Sequence, residues 1–212
     1  MCECQWGGCV SMHSSKMLQR IAVRIWKGYV SILDSRPLLT QAITTGVVCG
    51  LGDVIAQSCV EGRRWKQYSL QRTAKMAAIG LCFTGPVLRT WFLTLDKYLG
   101  PSTTSAVVLK KVFLDQVAFA PLLVGSLLSL FALSQSLSIS HVKEKLRGDY
   151  FNLLFASYKL WPFVQVVNFY FIPLKFRVNF LNIISLFWNT YVAWLANRPL
   201  PNQQDDKFNQ TK

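Results

Sequence analysis

Apolar residues fall into five long windows, 37–60, 76–99, 112–137, 153–174 and 176–197. Each reaches the roughly 20 residues that a helix needs to cross a bilayer. Short polar links separate most of them: EGRRWKQYSLQ, GPSTTSAVVLK and SHVKEKLRGDY. The last two windows nearly touch. Only Pro173 and the Lys175/Arg177 pair divide them, so four or five spans fit the pattern. The pattern predicts an all-α integral membrane helix bundle. About four helices are expected to span the membrane, accompanied by amphipathic or half-inserted helices.

Ahead of the windows, residues 1–15 have no periodicity and read as a disordered leader. From Lys16 a helical spacing begins, with Lys16, Arg20, Arg24 and Lys27 on one side and Leu18, Ile21, Ile25 and Ile32 opposite. This predicts a basic amphipathic helix over 16–33. It reads equally as an organelle-targeting segment, being Arg-bearing and poor in acids, or as a surface helix before the first span. Pro37 ends this helix or opens the next. The helical membrane domain thus covers 16–197, and the Pro-broken stretch 198–212 reads as a polar tail.

Composition sharpens the class. The 212 residues carry a formal net charge of +13, and 51% of them are hydrophobic. Mean hydropathy is +0.28. Only Arg89 and Lys159 sit well inside an apolar window; the other Lys and Arg flank the windows, where lipid headgroups would hold them. The bilayer is therefore the expected partner of the basic surface. No aromatic-and-basic nucleic-acid motif is present, so direct nucleic-acid binding is not expected. Six cysteines occur: Cys2, Cys4, Cys9, Cys49, Cys59 and Cys82. There is no cleavable signal-peptide layout to place them in a secreted disulfide framework. Cys2, Cys4, Cys9 and His13 match no tetrahedral metal spacing. No metal and no cofactor are expected.

The polar residues inside the windows are not scattered. At about 100° per residue, Ala42, Gly46, Gly50, Asp53 and Gln57 fall within an arc of about 80°. Gly46-x-x-x-Gly50 is a small-residue face suited to close helix packing. A carboxylate near mid-bilayer costs about 2.5–3.5 kcal/mol, so Asp53 should face protein or water. Lys111 and Asp115 stand four apart and are placed to pair at the membrane edge. Arg89 and Asp96 lie about 10.5 Å apart along a straight helix, so each needs a partner on a neighbour. In 153–174, Tyr158, Trp161, Gln165 and Asn168 share one face. Lys159 lies well around from Asn168, placed to snorkel or to meet a carboxylate such as Asp53 or Asp115. In 176–197, Asn182, Ser185, Asn189, Ala193 and Ala196 form a further polar and small stripe. Pro86, Pro121, Pro162 and Pro173 are the expected kinks.

These stripes admit two readings: packing contacts between helices, or the lining of a water-filled path. Enzyme chemistry is not expected. The only histidines, His13 and His141, lie outside the windows, and no HExxH, GxSxG or Walker pattern occurs.

Several motifs in order resemble one family. They are Trp26-x-x-Tyr29, Pro37-Leu38-x-Thr40, Gly52-Asp53-x-x-Ala56-Gln57, Arg72, Gly80, Gly85-Pro86 and Trp91. Then come Asp115-Gln116, Ala120-Pro121, Trp161-Pro162-x-x-Gln165-x-x-Asn168-Phe169, Pro173, Arg177 and Trp188-Asn189-x-Tyr191. The chain resembles the Mpv17 and peroxisomal membrane protein 2 family from Trp26 to Asn197. It departs at Phe92, where Tyr is usual, at Val192-Ala193, and in the charges of Arg89 and Lys159. The resemblance implies a four-span protein of the mitochondrial inner membrane, or alternatively of the peroxisomal membrane. The Leu160–Gln165 and Asp149-Tyr150 regions lie nearer the mitochondrial branch. It further implies a weakly selective channel for small solutes or ions. For the mitochondrial branch it also implies ties to membrane potential, reactive-oxygen control and mitochondrial DNA upkeep.

On this reading the pore-facing or gating groups are Asp53, Gln57, Asp115, Gln116, Lys159, Gln165, Asn168, Arg177 and Asn189. The alternative is a scaffold without conductance that assembles through Gly46 and Gly50. Either form admits a homo-oligomer or a larger membrane complex.

Overall fold

The computed structural model describes residues 6–62, 67–101, 103–136 and 138–197, all in helices and short links. The leader residues 1–5 and the tail 198–212 lie outside the described residues. The chain forms two compact units, Met1–Thr40 and Gln41–Lys212.

In the first unit, helix α1 runs from Trp6 to Ser35. It therefore starts ten residues before the expected amphipathic helix, within the stretch read as a leader. No proline interrupts the chain before Pro37, so nothing stops the helical frame from extending backward. Trp26 and Tyr29, one turn apart, stack with centroids 5.8 Å apart. Thr40 Oγ1 donates to the carbonyls of Arg36 and Ile32 across the junction. The next helix, α2, spans Pro37–Ile55, with proline at its first position where no backbone donor is missed.

The second unit is an all-α bundle of helices laid side by side. Helix α2 continues into a π-helical turn, Ala56–Val60. Helix α3 (Leu70–Ile79), a π turn (Gly80–Thr84) and α4 (Gly85–Leu99) form a second rod. Helix α5 (Ser105–Leu114), a π turn (Asp115–Phe119) and α6 (Ala120–Gln135) form a third. Then come α7 (Ile139–Phe171) and α8 (Arg177–Asn197). Close approaches fix the directions. Gly46 and Gly50 meet Leu81 and Ala77, while Gly85 meets Ala42, so α2 and the second rod are antiparallel. Tyr158 donates to the Gln116 carbonyl and Tyr150 to that of Pro121, which sets α7 antiparallel to the third rod.

The prolines explain two of the π turns. A helical proline clashes with the carbonyl four residues earlier and leaves it without a donor. For Pro86 and Pro121 those carbonyls belong to Cys82 and Val117, each inside a π turn. Widening the helix by one residue there relieves the clash while the rod continues. Pro162 sits inside an unbroken α7, whereas Pro173 lies in the break before α8. Positive φ at Gly62 and Gly100 ends the first two rods of this unit.

Three helical rods are long and apolar enough to cross a membrane among the described residues: Pro37–Val60, Leu70–Leu99 and Ser105–Gln135. The expectation was four. Helix α7 is about 50 Å long at 1.5 Å per residue, so length does not limit it. Its hydropathy is diluted by side chains that face the bundle, such as Ser157, Gln165 and Asn168, all buried.

Candidate functional site

Two apolar clusters occupy the two ends of the bundle. One joins Ala56, Met76, Phe131, Leu153, Val192 and Leu195. The other joins Phe92, Leu95, Val108, Val164, Phe169 and Leu181. A chamber of about 90 Å³ lies where they meet, its wall including Val124 of the first and Leu181 of the second. Thr45 and Cys49 reach it from α2, Asp115 and Gln116 from the third rod, Gln165 from α7, and Asn182 and Asn189 from α8. That volume holds several waters.

Asp115 is the chamber's only carboxylate among the described residues and is 3% exposed. Trp91 Nε1 donates to its Oδ1 at 2.7 Å. Its Oδ2 accepts from Gln116 Nε2 at 2.7 Å and Gln165 Nε2 at 3.0 Å. Asn168 Nδ2 in turn donates to Gln165 Oε1 at 3.0 Å, holding that amide from behind. The Trp91 ring is itself set by stacking on Phe119 at 4.5 Å. No cation pairs with Asp115 among the described residues. The wall also carries two amide atoms without a protein partner, Gln116 Oε1 and Asn182 Nδ2.

The other charged groups form separate ionic clasps. Asp53 does not face the chamber. Arg72 Nε donates to its Oδ1 at 2.7 Å, and Thr73 Oγ1 and Gln57 Nε2 donate to its Oδ2 at 2.6 and 2.8 Å. Gln57 also exchanges hydrogen bonds with the Ser69 backbone. Arg72 grips Glu61 with its other nitrogens at 2.6 and 2.9 Å. This clasp sews the end of α2 to the start of α3. Asp53 and Gln57, expected to face a pore, are held instead in this clasp, where every Asp53 oxygen is engaged by neighbouring helix groups.

A second clasp centres on Asp96. Both Lys111 Nζ and Arg177 Nη1 reach its Oδ1, at 2.6 and 2.7 Å. The ring of Phe169 lies 6.0 Å from Lys111 Nζ and 5.2 Å from the Arg177 guanidinium. Arg177 therefore ties α8 to α4 and is not a chamber group. The expected Lys111–Asp115 pair is replaced. Helical side chains lean toward the N-terminus, which carries Lys111 away from Asp115 and toward the end of α4. Lys145 and Asp149 form a third buried pair at 3.2 Å, and Lys145 also donates to the Leu195 carbonyl.

Lys159 is exposed on α7. It meets neither Asp53 nor Asp115, because its position lies around the helix from Gln165 and Asn168. Arg89 Nη1 instead reaches Gln41 Oε1 at 3.2 Å. Of the expected pore-facing set, then, Asp115, Gln116, Gln165 and Asn189 line the chamber and Asn168 stands one step behind. Asn189 Nδ2 donates to Cys49 Sγ at 3.5 Å.

Sequence reasoning left four groups out of the site: Trp91, Asn182, Asp96 and Arg72. Each carried a partial signal. Trp91 and Arg72 belong to the family-like motifs, Asn182 to the polar stripe, and Asp96 required a partner on another helix. Gly46 and Gly50 pack within the chain: a Cβ added at Gly46 would sit 3.0 Å from the Ala77 carbonyl oxygen and from Leu81 Cβ.

Comparison with known proteins adds a further finding. A family model described as Mpv17 / PMP22 family matches residues 132–193. The mitochondrial inner membrane protein Mpv17 of Xenopus laevis is 42% identical over 174 residues, covering 82% of this chain and 98% of that protein. The Homo sapiens protein of the same name is 38% identical over the same shares. Protein sym-1 of Neurospora crassa is 42% identical over 168 residues, 79% of this chain and 96% of that protein. No solved structure matches the chain.

Proposed function

The chain belongs to the Mpv17 / PMP22 family and is a multi-pass protein of the mitochondrial inner membrane; on that premise we propose that it is a weakly selective conduit for small solutes or ions. The observation that carries this reading is the chamber deep in the bundle, with Asp115 in its wall and no cation paired to it among the described residues. Around Asp53 both carboxylate oxygens are engaged by neighbouring helix groups. The chamber instead keeps space and amide atoms that protein does not satisfy. Apolar clusters flank it toward both ends of the bundle, so on this reading conduction requires one of them to part. Passage of small solutes or ions would modulate membrane potential and support mitochondrial homeostasis and DNA maintenance. The protein acts without chemistry of its own on this reading.

The scaffold alternative loses its main motive, since the Gly46/Gly50 face is taken up by α3 and its π turn. The test is conductance of the purified chain in planar bilayers. Openings whose cation-over-anion preference falls in Asp115→Asn support the conduit. A correctly folded protein that stays silent at all voltages refutes it.

A further inference from the structure

The chamber wall is chemically uneven. A carboxylate offers about four lone-pair sites, and the three donors on Asp115 leave one open, on the Oδ1 side. Beside it in sequence and in the wall, Gln116 Oε1 is buried with no donor at all, on a residue only 9% exposed. The open acceptors on Asp115 and Gln116 call for hydrogen-bond donors, while Asn182 Nδ2 in the same wall is a donor without a protein partner. An ionised carboxylate surrounded only by neutral donors is also costly at this depth, and a cation would offset that cost. Most of the remaining wall surface is apolar or aromatic, with Thr45, Thr84, Ser157, Asn182, Ser185 and Asn189 set into it. Trp161 and Trp188 meet edge to face at 5.8 Å, and both line the space with Phe119. Such rings favour organic cations.

Size narrows the class. A cavity of about 150 Å³ takes benzene. At about 90 Å³ this one takes something smaller. A divalent metal ion is poorly served, because no group of three His, Cys, Asp or Glu side chains is gathered among the described residues.

From these observations we propose that the chamber is a binding site for one small monovalent cation of the ammonium class, held by Asp115 and Gln116 Oε1 against the Trp161 and Trp188 rings. The proposal rests on the conduit reading for its purpose, and names the solute class that pauses in the chamber. The donors of an alkylammonium head match the open acceptors, and its short apolar part matches the wall. Two heavy atoms support at best a dissociation constant of order 10 mM.

Methylammonium is the probe. The purified full chain in detergent is titrated at constant ionic strength with N-methylglucamine chloride as the balancing salt, and tryptophan fluorescence reports on Trp91, Trp161 and Trp188. Saturation near 10 mM is expected, with Asp115→Asn weakening it at least about tenfold. Should that variant fail to fold, Ala120→Leu fills the chamber from its buried apolar wall and leaves the Asp115 hydrogen bonds in place; it should abolish saturation equally. Absence of a saturable response, or an equal response to N-methylglucamine or magnesium, overturns the site. So does a response that survives in a folded Ala120→Leu protein. Conductance without saturable binding defeats this inference alone, whereas binding without conductance defeats the conduit reading alone.

Discussion

Lys111, with no exposed surface, donates to Asp96 at 2.6 Å and not to Asp115, one turn further along its own rod. This choice separates two carboxylates that the sequence places in similar company. Asp96 receives two cations and becomes a structural knot. Among the described residues Asp115 receives none, and it stays in the chamber wall.

The knot holds one positive charge in excess, since Lys111 and Arg177 share a single carboxylate. Asp96→Asn leaves two buried cations facing each other unpaired. Lys111→Met leaves a neutral Asp96–Arg177 pair. Asp96→Asn should therefore be the more damaging, by about 3–5 kcal/mol against a much smaller loss for Lys111→Met. Thermal unfolding of the purified variants in one detergent checks the order; equal losses would mean the pairs act independently.

The Asp53–Arg72 clasp should behave as a coupled unit. Arg72→Ala takes the guanidinium from the fully buried Asp53 carboxylate and should cost about 3–5 kcal/mol. Arg72→Lys should recover only part of this, because an ammonium cannot fork between both partners. The double variant Asp53→Ala/Arg72→Ala should lose less than the sum of the singles. A double-mutant cycle closing at zero coupling would show that the clasp contributes nothing.

Helix contact at Gly80 leaves no room for a methyl group. A Cβ there would lie 2.7 Å from Cys49 Sγ and 2.9 Å from the Gly46 Cα. Gly80→Ala should push the second rod off α2 and cost about 1–3 kcal/mol. Gly28→Ala, with nothing within 4 Å, is the control and should be neutral or slightly stabilising through helix propensity. Stability in detergent measures both.

Conductance should sort the acidic and basic positions by place and not by charge. Asp115→Asn should change ion preference. Asp53→Asn should lower stability while the surviving folded fraction keeps its preference, because its oxygens lie in the clasp. Lys159→Gln should leave both properties unchanged, as that side chain is exposed outside the chamber. Reversal potentials under a salt gradient give the comparison, and a preference change in Lys159→Gln would contradict the arrangement.

Hydrophobic windows, their length and the polar stripes by themselves determined the class: an all-helical membrane bundle whose polar faces turn inward. That much follows from the one-dimensional spacing of residues on a helix and from the cost of polar groups in lipid. The Pro86 and Pro121 positions also announced local irregularity, which the π turns express. Tertiary structure alone decided which inward groups meet. Asp53, Asp96 and Asp115 look alike along the chain, yet one lies beside Arg72, one between Lys111 and Arg177, and one beside Trp91, Gln116 and Gln165. The partner of a buried charge sits on another helix, and its identity depends on the rotation and depth at which those helices pack. Neither rotation nor depth is written in the periodicity of a single segment. That is why the inward faces were legible in advance and the split into clasp and chamber was not.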